Sequence, residues 1–191
     1  MKNILYSFIN DDSILFSGAP TIFESYSETF QLPDGSYVNC EILDTGGQEI
    51  YNALNRQYYQ RADCCVLVYD ITNEDSFKEC KNYYYQEIIN NCKKDIKVIL
   101  VGNKTDLENY RKISTEEGAE FAEENQYYFK ETSCENKSNV ADAFETLIIM
   151  TNNDIIKKEK ENKENNYEIK KRKKMSLSVH KKHKKSKKNF C

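Results

Sequence analysis

Nowhere in the 191-residue sequence does an apolar run approach the length needed to cross a membrane as a helix, roughly 18 residues. Asp11 and Asp12 cut short any signal-peptide core near the N-terminus. Both absences point to a chain made and kept in the cytosol. Also missing are a C-x-x-C pair and any Cys/His spacing of the kind zinc requires, although the chain holds 7 cysteines. The thiols therefore read as reduced. Cys40, Cys64, Cys65, Cys80 and Cys92 lie in apolar or periodic stretches, where cysteine behaves as a small hydrophobe.

Charge is abundant but unevenly placed. From Lys157 onward 15 Lys/Arg face 4 Glu, leaving 13 basic and 27 acidic residues before it, so a tail of +11 follows a body of -14. Such a split suits a basic segment that meets an anionic surface. Acidic lipid is favoured over nucleic acid, because no aromatic residues interleave with a basic fold face. The segment has too few apolar residues to offset its ordering entropy and is expected to be disordered. Two regions follow: a folded domain over 1–156 and a polybasic tail over 157–191.

Within the domain, CCVLVYD (64 to 70) and IKVILVGN (96 to 103) are almost continuously apolar and rich in Val and Ile. Strands buried on both faces of a parallel sheet have this composition. Between them Phe77, Cys80, Tyr84 and Ile88 recur at helical spacing. Ser114 with Glu117 forms a capping box that opens a second helix carrying Phe121 and Ala122 inward. A further helix begins at Asn139, with Val140, Phe144, Leu147 and Ile148 on one side. Earlier, SYSETFQL and SYVNCEIL flank the turn PDG and form an antiparallel hairpin. The pattern predicts a three-layer, doubly wound α/β domain with a mostly parallel sheet.

Ligands in such sheets bind beyond the carboxyl ends of the strands. Three polar stretches fall there: DTGGQE (44 to 49), NKTD (103 to 106) and ETSC (131 to 134). The first ends an apolar run on a carboxylate, then sets two glycines beside a glutamine, which no core requires. A guanine base has a donor edge that the Asp106 carboxylate could accept in bidentate fashion, and the Asn103 amide could meet its N7. The same residues also suit a polar turn, and Ser133 alone could be a helix cap.

In order and spacing the three loops together resemble the Ras superfamily of small GTPases, over roughly residues 2 to 156. The resemblance implies a switch that binds GTP or GDP with Mg²⁺ and hydrolyses GTP. It implies that Asp44 and Thr21, from PTIFESY (20 to 26), ligate Mg²⁺, that the Gly47 amide contacts the γ-phosphate, and that Gln48 orients the attacking water. Asn103, Lys104, Asp106, Ser133 and the Cys134 amide would hold the base. Effectors, exchange factors and GTPase-activating proteins would dock on residues about 18 to 26 and 46 to 63. The absence of an extra helix between Asp106 and Glu131 favours a Ras or Rab type over Rho. The basic tail resembles a prenylated hypervariable region, with Cys191 the candidate lipid site at the cytosolic face of a membrane.

The pattern is also broken. Gly46 and Cys134 each stand where the family usually has Ala, Glu135 where it has Lys, and Ile14 where an aromatic meets the base. No G-x-x-x-x-G-K-[ST] phosphate loop occurs. The family's spacing, counted back from Pro20, puts Lys2 at the phosphate-loop lysine and Asn3 at the Mg²⁺-binding hydroxyl. The expectation is a domain lacking its first, central strand because the N-terminus is incomplete. The rival reading is a pseudo-GTPase, a binding module without nucleotide turnover.

Overall fold

The computed structural model describes residues 4–9, 23–45 and 52–186. In chain order the elements are α1 (Ile4–Ile9), β1 (Phe23–Gln31), β2 (Tyr37–Thr45), α2 (Asn52–Arg61), β3 (Cys64–Asp70), α3 (Glu74–Glu79), a π turn (Cys80–Tyr84), α4 (Tyr85–Asn91) and β4 (Lys97–Asn103). A 3₁₀ turn (Thr105–Tyr110), α5 (Thr115–Glu124), β5 (Tyr128–Thr132) and α6 (Val140–Ser186) complete the series. The chain forms two compact units, Met1–Thr151 and Asn152–Cys191, dividing ahead of the change in composition at Lys157.

In the first unit β4 is central to a parallel sheet of order β3-β4-β5. Its residues are buried from Val98 to Asn103, as its unbroken apolar sequence requires. Successive side chains point to opposite faces. Val98 and Leu100 pack with Leu67, Phe77, Ile88 and Phe121, while Ile99 and Val101 pack with Ala143 and Leu147 of α6. Helices thus cover both faces of the sheet, giving the three layers the alternation predicts. Asn73 caps α3 through the amides of Asp75 and Ser76. The capping box of α5 is formed from both sides: Ser114 accepts from the Glu117 amide, and Glu117 accepts from the Ser114 amide. The helical stripe is buried at Phe77, Cys80 and Ile88, yet the helix widens to a π turn between them, where the Tyr85 amide reaches the Cys80 carbonyl.

Close approach sets one glycine. A Cβ on Gly118 would lie 2.3 Å from the Tyr69 hydroxyl, so only hydrogen fits between α5 and that ring. In the hairpin Gly35 takes φ +83, Leu32 exchanges backbone bonds with Ser36 and Gly35, and Asp34 accepts from the Ser36 amide and hydroxyl. The Ser36 bonds hold the Asp34 carboxyl below its usual range.

The hairpin β1-β2 is a separate two-stranded sheet. Among the described residues β2 and β3 exchange no ladder bonds, and the discontinuity falls where the resemblance puts the first strand. Side-chain packing holds the hairpin instead. Phe8 of α1 stacks on Phe30 at 5.2 Å and on Phe144 of α6 at 4.1 Å, and Val38, Cys40, Ile42 and Val66 pack around them. Burial pushes the thiols of Cys65 and Cys80 up to about 12 and that of Cys92 up to about 11, which keeps them protonated and unreactive.

In the second unit α6 continues to Ser186. The segment 140–186 contains neither Gly nor Pro and is rich in Lys and Glu, good helix formers. Residues 157–164 are all exposed, so local propensity and i,i+4 pairs such as Lys163–Glu159, at 4.0 Å, support the helix there without packing. Among the described residues no helix is long and apolar enough to cross a membrane.

Candidate functional site

Parallel pairing brings the carboxyl ends of three strands to one level. Asp70 of β3 faces Asn103 of β4, and Asn103 faces Thr132 of β5. Each strand ends on a side chain able to bond its neighbours. Asn103 is only 8% exposed, and its Oδ1 accepts from the Thr132 hydroxyl at 3.1 Å and from the Cys134 thiol at 3.3 Å. Two donors on one oxygen fix the amide's orientation and leave its Nδ2 as the group that can donate outward.

Beyond Asn103 the chain turns sharply, with Lys104 in the left-handed region at φ 75. That turn sends the Lys104 ammonium back onto the Asp70 carboxylate, where the two side chains form an ion pair, each 19% exposed. Asp70 also accepts from the Thr72 amide at 2.9 Å and hydroxyl at 2.7 Å. Burial alone would raise the Asp70 carboxyl, but the bonds from Lys104 and Thr72 outweigh it and hold the group below its usual value.

Thr105 donates its hydroxyl to the Thr132 carbonyl at 3.2 Å, and the Ser133 hydroxyl donates to Oδ1 of Asp106. The Ser133 oxygen in turn accepts from the Glu135 amide at 3.2 Å. Asp106 remains exposed, and its Oδ2 takes part in none of these bonds. A carboxylate with one oxygen braced and the other open can accept N–H groups from a planar ligand, while the neighbouring amide donates to that ligand's acceptor. The arrangement has the chemistry to read the edge of a base.

Of the residues expected at the site, Asn103, Lys104, Asp106, Ser133 and Cys134 converge on these two loops. Asp44 lies elsewhere, half-buried at the carboxyl end of β2 in the other sheet. Its carboxylate is the hard oxygen ligand Mg²⁺ takes. Among the described residues no group of three or more His, Cys, Asp or Glu could hold a metal. Lys2, Asn3, Ile14, Thr21, Gly46, Gly47, Gln48 and Cys191 lie outside the described residues.

Sequence reasoning missed Asp70 and Thr132. An aspartate ending a buried strand, level with the Asn103 it precedes in the sheet, was the available signal for the first. Because its carboxyl is depressed in the fold, Asp70 stabilises the protein above the ordinary value of 3.8, and that contribution fades as the pH falls through the depressed value. Asp70→Asn is expected to lose about 2 kcal/mol near neutrality. Urea denaturation of both proteins checks this: the difference should shrink in strong acid, and a gap independent of pH would refute the role.

The comparisons with known proteins agree with the geometry. The Ras family model matches residues 2–153. Among curated proteins, the chain is 36% identical over 157 residues to the Ras-related protein RABA4b of Arabidopsis thaliana, covering 82% of this chain and 69% of that one. It is 36% identical over 148 residues to the Ras-related protein Rab-2B of Dictyostelium discoideum, covering 75% and 70%. It is 37% identical over 147 residues to the GTP-binding protein ypt3 of Schizosaccharomyces pombe, covering 77% and 68%. The match spans both sheets and the loops after β4 and β5, and the chain belongs to the Ras family, a small GTPase of the Ras superfamily.

Proposed function

We propose that the protein is a guanine-nucleotide switch that binds GTP and GDP with Mg²⁺ and hydrolyses GTP, in vesicle traffic or signalling. The observation that carries the reading is the braced Asp106 carboxylate beside the oriented Asn103 amide, at the aligned ends of β3, β4 and β5. Its donor-accepting edge matches N1–H and the exocyclic amine of guanine. The names of the relatives, one a GTP-binding protein and several Ras-related, support the same ligand.

In this reading Lys2 meets the phosphates, the Gly47 amide the γ-phosphate, and Thr21 and Asp44 the Mg²⁺. The metal, when bound, would offset charge on the transferring phosphate. Gln48 orients the attacking water. The switch surfaces at 18 to 26 and 46 to 63 dock effectors, exchange factors and activators. The basic tail meets anionic lipid at the cytosolic face of a membrane, where each Lys or Arg adds about 1 kcal/mol. A lipid on Cys191 would supply the second anchoring signal, and would show as an adduct in the intact mass of the protein from its own cells.

One observation favours a second reading. Among the described residues no ladder joins β2 to β3, the side on which the phosphate half would be built. A pseudo-GTPase, an interaction module that keeps switch-like surfaces without holding or turning over nucleotide, is consistent with that.

Three outcomes test these readings. Displacement of a fluorescent GDP should show Asp106→Asn weakening guanosine nucleotides by roughly 100-fold and strengthening xanthosine nucleotides, whose carbonyl accepts from the new amide. Unchanged preference would refute base reading at Asp106. Single-turnover assays with GTP should show Gln48→Leu slower by roughly 100-fold, with GDP affinity kept. Equal rates would count against Gln48, and a wild type that binds neither GDP nor GTP would favour the module. Sedimentation with phosphatidylserine vesicles should capture the wild type at low salt and lose the variant in which Lys170, Lys171, Arg172, Lys173 and Lys174 are all Gln. Equal capture would dismiss the tail as a membrane contact.

A further inference from the structure

Arg111 follows the 3₁₀ turn that begins beside Asn103, and its guanidinium is 16% exposed. All five of its N–H groups are engaged. Nε and Nη2 donate to the two oxygens of Glu108, each at 2.8 Å. Nη1 and Nη2 donate to the two oxygens of Glu131 at 2.6 and 3.0 Å, and Nη1 also donates to the Ile113 carbonyl at 3.0 Å. A guanidinium has five such groups in a fixed fork, so their complete use fixes position as well as charge. The two carboxylates hold its proton more tightly than usual, first through the Glu108 and Glu131 bonds.

Glu131 directly precedes Thr132 and Ser133, which bond Asn103 and Asp106. Its carboxylate takes a further bond from the Thr115 hydroxyl at 3.1 Å, and its carbonyl one from the Asn139 amide at 3.0 Å. The segment bearing Asp106 is therefore pinned at both ends, by buried Asn103 in β4 and by Arg111. Between the pins its backbone is irregular: Lys104 is left-handed, and Leu107 departs from helical geometry at φ -98, ψ 33. No regular ladder holds Asp106 in place; the two pins fix its backbone, and the Ser133 hydroxyl braces its carboxylate.

We propose that the Arg111–Glu131 pair is a positioning device for base recognition, setting where the Asp106 carboxylate stands relative to the Ser133–Glu135 loop. The proposal rests on the reading of Asp106 as the base-edge acceptor. Arg111 touches no ligand; it sets how well the carboxylate meets the exocyclic amine, the group that separates guanine from hypoxanthine.

The test uses the full chain and three variants. Arg111→Gln removes the fork, and Arg111→Lys keeps the charge with a single ammonium in its place, serving where the first fails to fold. Lys130→Gln is the control: it breaks the adjacent Lys130–Asp142 pair, whose side chains are 40% and 54% exposed and which bonds neither loop. The measured quantity is the ratio of GDP to IDP affinity, since IDP lacks the exocyclic amine. The ratio is expected to fall about tenfold in the Arg111 variants and to hold in Lys130→Gln. An unchanged ratio in the Arg111 variants overturns the proposal even if their stability drops. Should the wild type bind neither nucleotide, the base-reading assignment itself fails, and amide hydrogen exchange decides the pair separately. Protection lost at residues 103–106 and 131–136 in the Arg111 variants alone supports positioning, and protection retained there refutes it.

Discussion

The in-register parallel pairing of three strand ends is the constraint on which the rest of the site depends. Asp70, Asn103 and Thr132 come to one level only because β3, β4 and β5 pair without a slip. A one-residue shift would turn Asn103 to the opposite face and separate its amide from the Thr132 hydroxyl. What holds the register is apolar: Val98 and Leu100 on one face and Ile99 and Val101 on the other find complementary layers in only one pairing. The polar site is thus positioned by the most deeply buried strand among the described residues.

Much of this was legible in the sequence, and the parts that were share a feature: each is encoded within a few residues. The uninterrupted apolar runs of β3 and β4, the Ser114–Glu117 box and the PDG turn each carry their own local chemistry. The motifs NKTD and ETSC were legible as a pair because each begins at the carboxyl end of a strand. The Arg111–Glu131 fork and the Lys104–Asp70 ion pair were not, since each joins residues far apart in the chain and depends on how a long side chain is aimed. The π turn at Cys80–Tyr84 leaves the spacing of apolar residues helical, so periodicity could not reveal it. In the tail, two physical effects compete: entropy and charge oppose order, while Lys and Glu propensity favours a helix.

The division between β2 and β3 gives β3 a double character. Its composition is that of a strand covered on both faces and paired on both edges, yet among the described residues it pairs with β4 alone, and Cys64, Cys65, Val66 and Val68 are only half-buried. Free strand edges of apolar composition are sites of association, and natural sheets usually blunt them with charge or bulges. Here packing of the hairpin through Phe8, Phe30 and Phe144 is the compensation the structure offers.

The contacts that shape the loops after β4 and β5 span long stretches of chain: 27 residues between Ser133 and Asp106, 29 between Thr132 and Asn103, and 34 between Lys104 and Asp70. None closes within a single helix or turn. The site is therefore indivisible. A peptide cut around NKTD or around ETSC would carry the motif's letters without its geometry, and proteolytic release of either loop would dismantle both at once.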